Sequence, residues 1–253
     1  MSIAPTPSPS HEPAQSPEER KEAAKRVGRM FGSIAHRYDL LNHLLSFGTD
    51  YYWRWVAARK LKGVLSRPGC RILDLCAGTG DLALVLKRRT PSEVVAADFC
   101  HPMLTIAREK FRRARLPIST TEADALALPF ASESFDLVAL AFGFRNLVHH
   151  ETALSEIRRV LKPGGEIAIL EFSQVRGALF GPLFRFYFRF LLPKLGSLIS
   201  GVRGPYQYLP ESVSRFPERE SLSRTMRECG FESVAHRDLT GGVVTLHRGT
   251  RPV

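Results

Sequence analysis

The stretch from Arg71 to Asp81, RILDLCAGTGD, joins a short apolar run to a turn that carries Gly78 and Gly80. Two glycines at that spacing allow a tight turn and let the backbone approach a ligand closely at a helix N-terminus. Read as G-x-G-x-x-A through Gly78, Gly80 and Ala83, the turn satisfies a dinucleotide fingerprint, and a purely structural turn has the same pattern. The rhythm then repeats. Apolar runs near 71 to 75, 93 to 98 (EVVAAD), 118 to 122, 135 to 141 (FDLVALA) and 166 to 172 (EIAILEF) read as strands, with helices after the first, second and fourth. FESVAHRDL and GGVVTLHRG read as a closing β-hairpin. The prediction is an α/β fold: a mostly parallel, seven-stranded, Rossmann-like sheet whose last strand runs antiparallel.

Outward from this centre the chain changes character. MSIAPTPSPSHEPAQSP holds five prolines and no apolar run, so residues 1 to 16 are expected to be a disordered tail, neither signal peptide nor anchor. Ser16-Pro17-Glu18-Glu19 reads as an N-cap, a proline at the first helical position and a capping-box Glu, opening a helix to about Met30. Residues 31 to 66 carry apolar residues at helical spacing and predict two short helices, so that 17 to 66 form a helical cover. Residues 174 to 216 interrupt the sheet rhythm as an inserted lid, and Pro217-Glu218-Arg219-Glu220 opens one more helix. Residues 17 to 253 are expected to form a single domain.

Charge narrows the function classes. The formal net charge of +11 divides into +4 for residues 1 to 62, +1 for 63 to 173 and +6 for 174 to 253. A neutral centre with basic flanks suits a small-molecule pocket whose rim meets an anionic lipid surface or a polynucleotide. No RNA-binding motif is recognisable, which disfavours a nucleic-acid binder. Cys70, Cys76, Cys100 and Cys229 form no C-x-x-C pair or cluster with His, which argues against a zinc module or disulfide scaffold and fits a reducing cytosol.

Asp98 ends the second strand 20 residues after Gly78, where a carboxylate can accept both hydroxyl hydrogens of a ribose. NAD and S-adenosylmethionine both carry that ribose, and a cap for the helix from His101 is the competing reading. Asp124 and Ala125 follow the third strand beside an apolar loop able to bond and cover an adenine, or form an ordinary strand-end turn. Asp74, Gly78, Thr79, Gly80, Asp98, Asp124 and Ala125 thus converge on one sheet edge, the ligand crevice expected of an open α/β fold.

From about Phe31 to Gly249 the sequence resembles the ubiquinone/menaquinone-biosynthesis C-methyltransferase family. YDLLNHLLSFGTDYYW (Tyr38 to Trp53) and RVLKPGGEIAILEFS (Arg159 to Ser173) look like its two signature segments; LDLCAGTGDLAL, DALALPF, FGFRN, YLPESV and GFESV with LTGGVVTLHRG follow in family order. The resemblance implies a class I S-adenosylmethionine-dependent methyltransferase acting on a prenylated quinol. Demethylmenaquinol leads, ahead of a polyprenyl methoxybenzoquinol; an NAD-dependent oxidoreductase would leave DALALPF, the KPGG turn and the hairpin unexplained. It assigns Thr79, Asp98, Asp124 and Ala125 to the methyl donor. Three positions depart from the pattern: Ala141 lacks a hydroxyl that some members have, Cys100 replaces a common Ser, and Phe144 replaces a usual Leu, which predicts a reshaped quinone slot.

Methyl transfer from a sulfonium is an in-line displacement that needs alignment and exclusion of water, and no metal. The quinol carbon becomes nucleophilic when a neighbouring hydroxyl loses its proton. Candidates for the base or hydrogen-bond donor near the ring are Arg145 and Asn146 after the fourth strand, Glu171 and Ser173 at the end of the fifth, and Tyr38, Asp39 and Asn42 of the cover. Arg145 is the favoured stabiliser of the phenolate, against a structural salt bridge to the N-terminal helices, and Tyr38, Asp39 and Asn42 are lid or substrate contacts, against plain helix packing. His247 is expected about five residues below the carboxyl edge, ~17 Å away, too far to act as base. His149 and His150 read as solvent-facing caps. LFGPLFRFYFRFLLPKLGSLI (179 to 199) is interrupted by Arg185, Arg189, Lys194 and two prolines and cannot span a bilayer. Phe184, Phe188 and Leu191 would share one face of an interfacial helix, or the segment is an ordinary lid or homodimer helix. The expected location is cytoplasmic, with peripheral contact at the inner face of an anionic membrane.

Overall fold

A computed structural model describes residues 28, 31, 32, 35, 38–40, 42–175, 180–194 and 204–253. The strands are β1 (Arg71–Leu75), β2 (Glu93–Asp98), β3 (Ser119–Glu122), β4 (Phe135–Ala141), β5 (Leu161–Phe172), β6 (Glu232–Leu239) and β7 (Val244–Thr250), in sheet order β3-β2-β1-β4-β5-β7-β6. The first five pair parallel, and β7 runs antiparallel between β5 and β6. This is the expected sheet.

Central strands covered on both faces need near-continuous apolar sequence, and β1, β4 and β5 supply it. Alternate residues divide between two cores. Ile72, Ala96 and Leu170 pack with helices α1 (Thr49–Lys60), α3 (Asp81–Lys87) and α4 (His101–Ala114); the short α2 (Lys62–Leu65) joins this layer. Leu73, Val138 and Ile169 pack with α5 (His150–Val160) and, beyond the lid, with a helix over Arg219–Glu228. β5 begins at Leu161, earlier than expected, because the KPGG turn is absorbed as an irregularity: Phe135 pairs with Leu161, and Leu137 already with Glu166. Gly164 there has φ 72°, where a Cβ would be strained.

The expected helix from 17 to about 30 lies outside the described residues apart from Gly28. Helical residues between 38 and 45 lead through a turn at Ser46–Gly48 into α1. The lid contains α6 (Phe180–Phe186), which continues as a π-turn over Tyr187–Leu191, and α7 (Gly204–Arg215); the Arg219–Glu228 helix is α8. Phe184 and Phe188 share one face as expected, but that face packs inward, as in the ordinary-lid reading. Phe184 and Phe188 stack 5.4 Å apart and turn inward, with Phe188 5.9 Å from Phe172, whereas the exposed rings are Phe186 and Phe190 beside a part-exposed Leu191. Among the described residues no helix is long and apolar enough to cross a membrane.

Candidate active site

The sheet order reverses between β1 and β4, and there the carboxyl ends of the strands open a cavity of about 1090 Å³, mouth included. The glycine turn forms its floor. Gly78 has φ 55° with open space where a Cβ would project, while a Cβ on Gly80 (φ 84°) would lie 2.4 Å from the Phe111 ring. Asp98 is engaged by the main chain on both oxygens: Oδ2 accepts the Gly78 amide at 2.7 Å, fixing the turn, and Oδ1 accepts the Cys100 amide at 2.8 Å, at the start of α4. Burial raises its pKa, partly offset by these amides. Asp124 Oδ1 accepts the Leu126 amide at 2.9 Å, and Ala125 is buried beside it.

Asp74, at the end of β1, is the anomaly of this cavity. It is 1% exposed, and neither carboxylate oxygen has a hydrogen-bond partner of ordinary geometry. Burial pushes its pKa up to about 8, and the nearby Ala83 amide offsets only part of the effect. A buried carboxyl left so is an acceptor awaiting a cation or donor.

Thr79 is turned toward the cover. Its hydroxyl donates to Asp39 Oδ1 at 2.5 Å, and Lys110 Nζ donates to Asp39 Oδ2 at 2.8 Å and to Asp81. Burial lowers the Lys110 pKa, but the Asp81 and Asp39 carboxylates outweigh it and raise the value overall. Asp39, His43 and Asp81 therefore gather ligand-type atoms within 4.8 Å of one another, with Lys110 supplying the counter-charge.

A second cavity of about 1440 Å³, mouth included, lies under the lid. Trp53, Phe172, Phe184, Phe188 and Leu192 make it apolar, and Tyr38, Asn42, Arg145 and Tyr208 supply polar groups. Phe31, Tyr38, Arg54 and Phe142 line both cavities, so the two meet at these side chains. Tyr38 is part-buried, and desolvation of its hydroxyl raises the phenol pKa; Arg145 and the Asn42 side chain act the other way.

Arg145 is fixed rather than free. Nη1 donates to Glu171 Oε1 at 2.8 Å and to the Phe142 carbonyl at 2.5 Å, Nε donates to Ser212 Oγ at 3.3 Å, and the guanidinium lies 5.5 Å from the Phe172 ring centroid. The salt bridge weighed in the sequence exists, but to the end of β5 rather than to the N-terminal helices. The neighbouring Asn146 faces the other cavity, its Oδ1 accepting the Tyr208 hydroxyl at 3.1 Å.

Three expectations are corrected. Phe144 does not shape a slot: it is fully buried, stacked on His150 with centroids 4.8 Å apart and packed on Phe216, and lines neither cavity. His149 and His150 are part-buried, each with an enclosed, unpartnered Nε2, and burial lowers the His150 pKa. His247 pairs with Ile169, three residues rather than five from the Phe172 end of β5, about 10 Å at strand rise. It stays out of the chemistry because it is buried against the Arg219 carbonyl, with its pKa lowered by burial to about 4. Sequence reasoning missed Arg54, Trp53 and Tyr208; the TDYYWRW repeat of aromatics around one arginine was the available signal for the first two.

The ubiE/COQ5 methyltransferase family model matches residues 18–251. The chain belongs to this family. It is 53% identical over 224 residues to the demethylmenaquinone methyltransferase of Thermus thermophilus, covering 88% of this chain and 100% of that protein. It is 45% identical to the demethylmenaquinone methyltransferase of Deinococcus radiodurans (92% and 95% covered) and 47% to the ubiquinone/menaquinone biosynthesis C-methyltransferase UbiE of Syntrophotalea carbinolica (88% and 92%). Among solved structures, a SAM-dependent methyltransferase, possible histamine N-methyltransferase, from Thermotoga maritima superposes with TM-score 0.63 at 21% identity (88% and 98% covered). The [4+2]-cyclase SpnF superposes with TM-score 0.67 at 18% identity (91% and 97%). These establish the Rossmann-like methyltransferase fold. A cyclase on the same fold shows that the scaffold leaves the chemistry open, so what distinguishes the ubiE/COQ5 chain must lie in the side chains of its two cavities.

Proposed function

We propose that the protein transfers a methyl group from S-adenosylmethionine to a ring carbon of demethylmenaquinol. The observation that carries this reading is the junction of a polar, carboxylate-rich crevice with an apolar cavity at Tyr38, Arg54 and Phe142. Bound there, the donor supplies an electrophilic methyl on a sulfonium. Asp98 and the Asp124–Ala125 loop would hold its ribose and adenine, Gly78 would admit its backbone-close portion while Gly80, closed off by Phe111, shapes the turn, and Asp74 would meet its ammonium. The unpartnered Asp74 carboxyl and the open space over Gly78 fit such a ligand.

On the acceptor side, the apolar walls would take a prenylated ring and exclude water, which strengthens every charge interaction inside. Arg145, held by Glu171, Phe142 and Ser212, would present a permanent cation to the phenolate at no further cost in side-chain entropy. Tyr38 and Asn42 would orient the ring from the cover. The working unit is residues 17–253, with the cover over 17–66 and the lid over 174–216. The exposed aromatics Phe47, Phe186 and Phe190 at the lid would meet an anionic membrane from which the substrate enters.

The menaquinol reading is favoured by the two demethylmenaquinone methyltransferases among the relatives. Quinone profiling of a deletion strain tests it: demethylmenaquinone should accumulate, and accumulation of a methoxybenzoquinol precursor would move the substrate to the ubiquinone series.

A further inference from the structure

The crevice between β1 and β4 is lined by Asp74, Asp81, Asp98 and Asp124, and among the described residues Arg54 is its only lysine or arginine. A lone cation within a ring of carboxylates is out of keeping with a ligand that is cationic throughout. It suits one that carries an anionic group at one end.

The position of Arg54 says which end. Asp124 and Ala125 follow β3, Asp98 ends β2, Asp74 sits at the end of β1, and Arg54 reaches in from α1 to lie 5.3 Å from the centroid of Phe142, just past β4. A ligand whose nucleoside rests on Asp98 and Asp124 therefore has its other end at Asp74 and Arg54. Arg54 is also built to stay there. It is 7% exposed; Nη1 donates to Asp50 Oδ2 at 2.5 Å, and Asp50 is held by Ser46 Oγ and His43 Nδ1, each at 2.8 Å. Burial raises the Asp50 pKa, but Arg54, Ser46 and His43 outweigh it and keep the carboxyl ionised. Nη2 makes only a 3.9 Å approach to Asp81, which is engaged by Lys110. One side of the guanidinium is thus anchored, and the other has no close acceptor among the described residues.

We infer that Arg54 binds the α-carboxylate of the methyl donor, with Asp50 as the residue that positions it. Asp74 and Arg54 then form a two-point clamp for the amino-acid end, cationic group to one and anionic group to the other. The inference rests on the donor proposed above.

Isothermal titration with S-adenosylmethionine and decarboxylated S-adenosylmethionine, which differ by that carboxylate alone, tests it. The unaltered protein should prefer the carboxylated ligand by about tenfold to a hundredfold, the range of a charge-assisted hydrogen-bonded contact. Arg54→Met should lose that preference by weakening only the carboxylated ligand, and Arg54→Lys should retain part of it. Because Arg54→Met strands the buried Asp50 carboxylate, the same titrations are run on Asp50→Asn/Arg54→Met, where no charge is left unpaired. Equal weakening of both ligands, or no preference in the unaltered protein, overturns the inference. Binding of neither ligand to the unaltered protein would instead sink the donor assignment itself.

Discussion

Asp74 should make the empty protein less stable as pH rises, and Asp74→Asn should remove that dependence. The carboxyl is shifted from an ordinary value of 3.8 to about 8 by burial. Between those values the folded chain holds a proton that the unfolded chain has released, so stability falls with increasing pH throughout the window. At pH 7 the cost of protonating the carboxyl is about 1.36 kcal/mol for each of roughly three pH units, or about 4 kcal/mol. Asparagine has nearly the same shape and no proton to acquire, so the variant should gain up to about 4 kcal/mol at pH 7, which for a chain of this size is ~8–16 °C in Tm. Scanning calorimetry from pH 5 to 8 without donor measures it: the gap between the two proteins should widen steadily toward pH 8. The donor's ammonium should reverse the balance by favouring the ionised carboxylate. Binding at pH 7 would then release close to one proton, visible as a dependence of the titration enthalpy on buffer, and Asp74→Asn should abolish most of that release while weakening binding. A variant no more stable than the parent, with a pH-independent gap, would refute the reasoning.

The two glycines of the turn should separate folding from binding. Gly80→Ala places a Cβ against Phe111 and should lower Tm strongly, whereas Gly78→Ala meets open space, should cost only about 1–2 kcal/mol for its left-handed backbone, and should chiefly weaken the donor in titrations. Arg145→Ala should reduce kcat by about 10²–10³ with little change in donor Kd. It leaves Glu171 buried and unpaired at a cost of about 3–5 kcal/mol, so Arg145→Met/Glu171→Gln should recover the stability without the turnover; equal loss of kcat and donor affinity would remove Arg145 from the chemistry. Phe186→Ser/Phe190→Ser should weaken flotation with anionic liposomes, while leaving Tm unchanged; flotation equal to that of the parent would take these rings out of the lipid contact.

The strand pattern was legible because parallel strands covered on both faces must be apolar end to end, and β1, β4 and β5 have no alternative reading. The crevice was legible for a related reason: where the order of strands reverses, the residues after each strand converge whatever their side chains do. What could not be read depended on long-range partners. Phe144 follows a motif that faces the cavities, yet its ring is taken by His150 and Phe216, the latter 72 positions away. A period of 3.6 residues places Phe184 and Phe188 on one face of the lid, and they share it; that the face turns inward is set by Phe172, at the end of β5, which no local hydropathy encodes. Arg54 reaches the crevice because α1 is laid against it, a packing set by partners far along the chain.

The two halves of the site differ in what builds them. The floor of the crevice is built by the sheet, with Asp74, Asp98 and the glycine turn set by strand ends and main-chain bonds. The apolar cavity is built by segments that pack across one another: Tyr187 of the lid donates to the Leu45 carbonyl, Trp53 of α1 donates to Thr240 between the last two strands, and Ser212 of α7 meets Arg145. A fold shared with a cyclase can keep the first half and replace the second, since only the second requires these contacts. Phe31, Tyr38 and Arg54 tie the halves together, being cover residues that line both cavities. A displacement of the cover would therefore disturb donor and acceptor at once, coupling occupancy of the crevice to the shape of the apolar cavity through the Asp50–Arg54 pair rather than through the sheet.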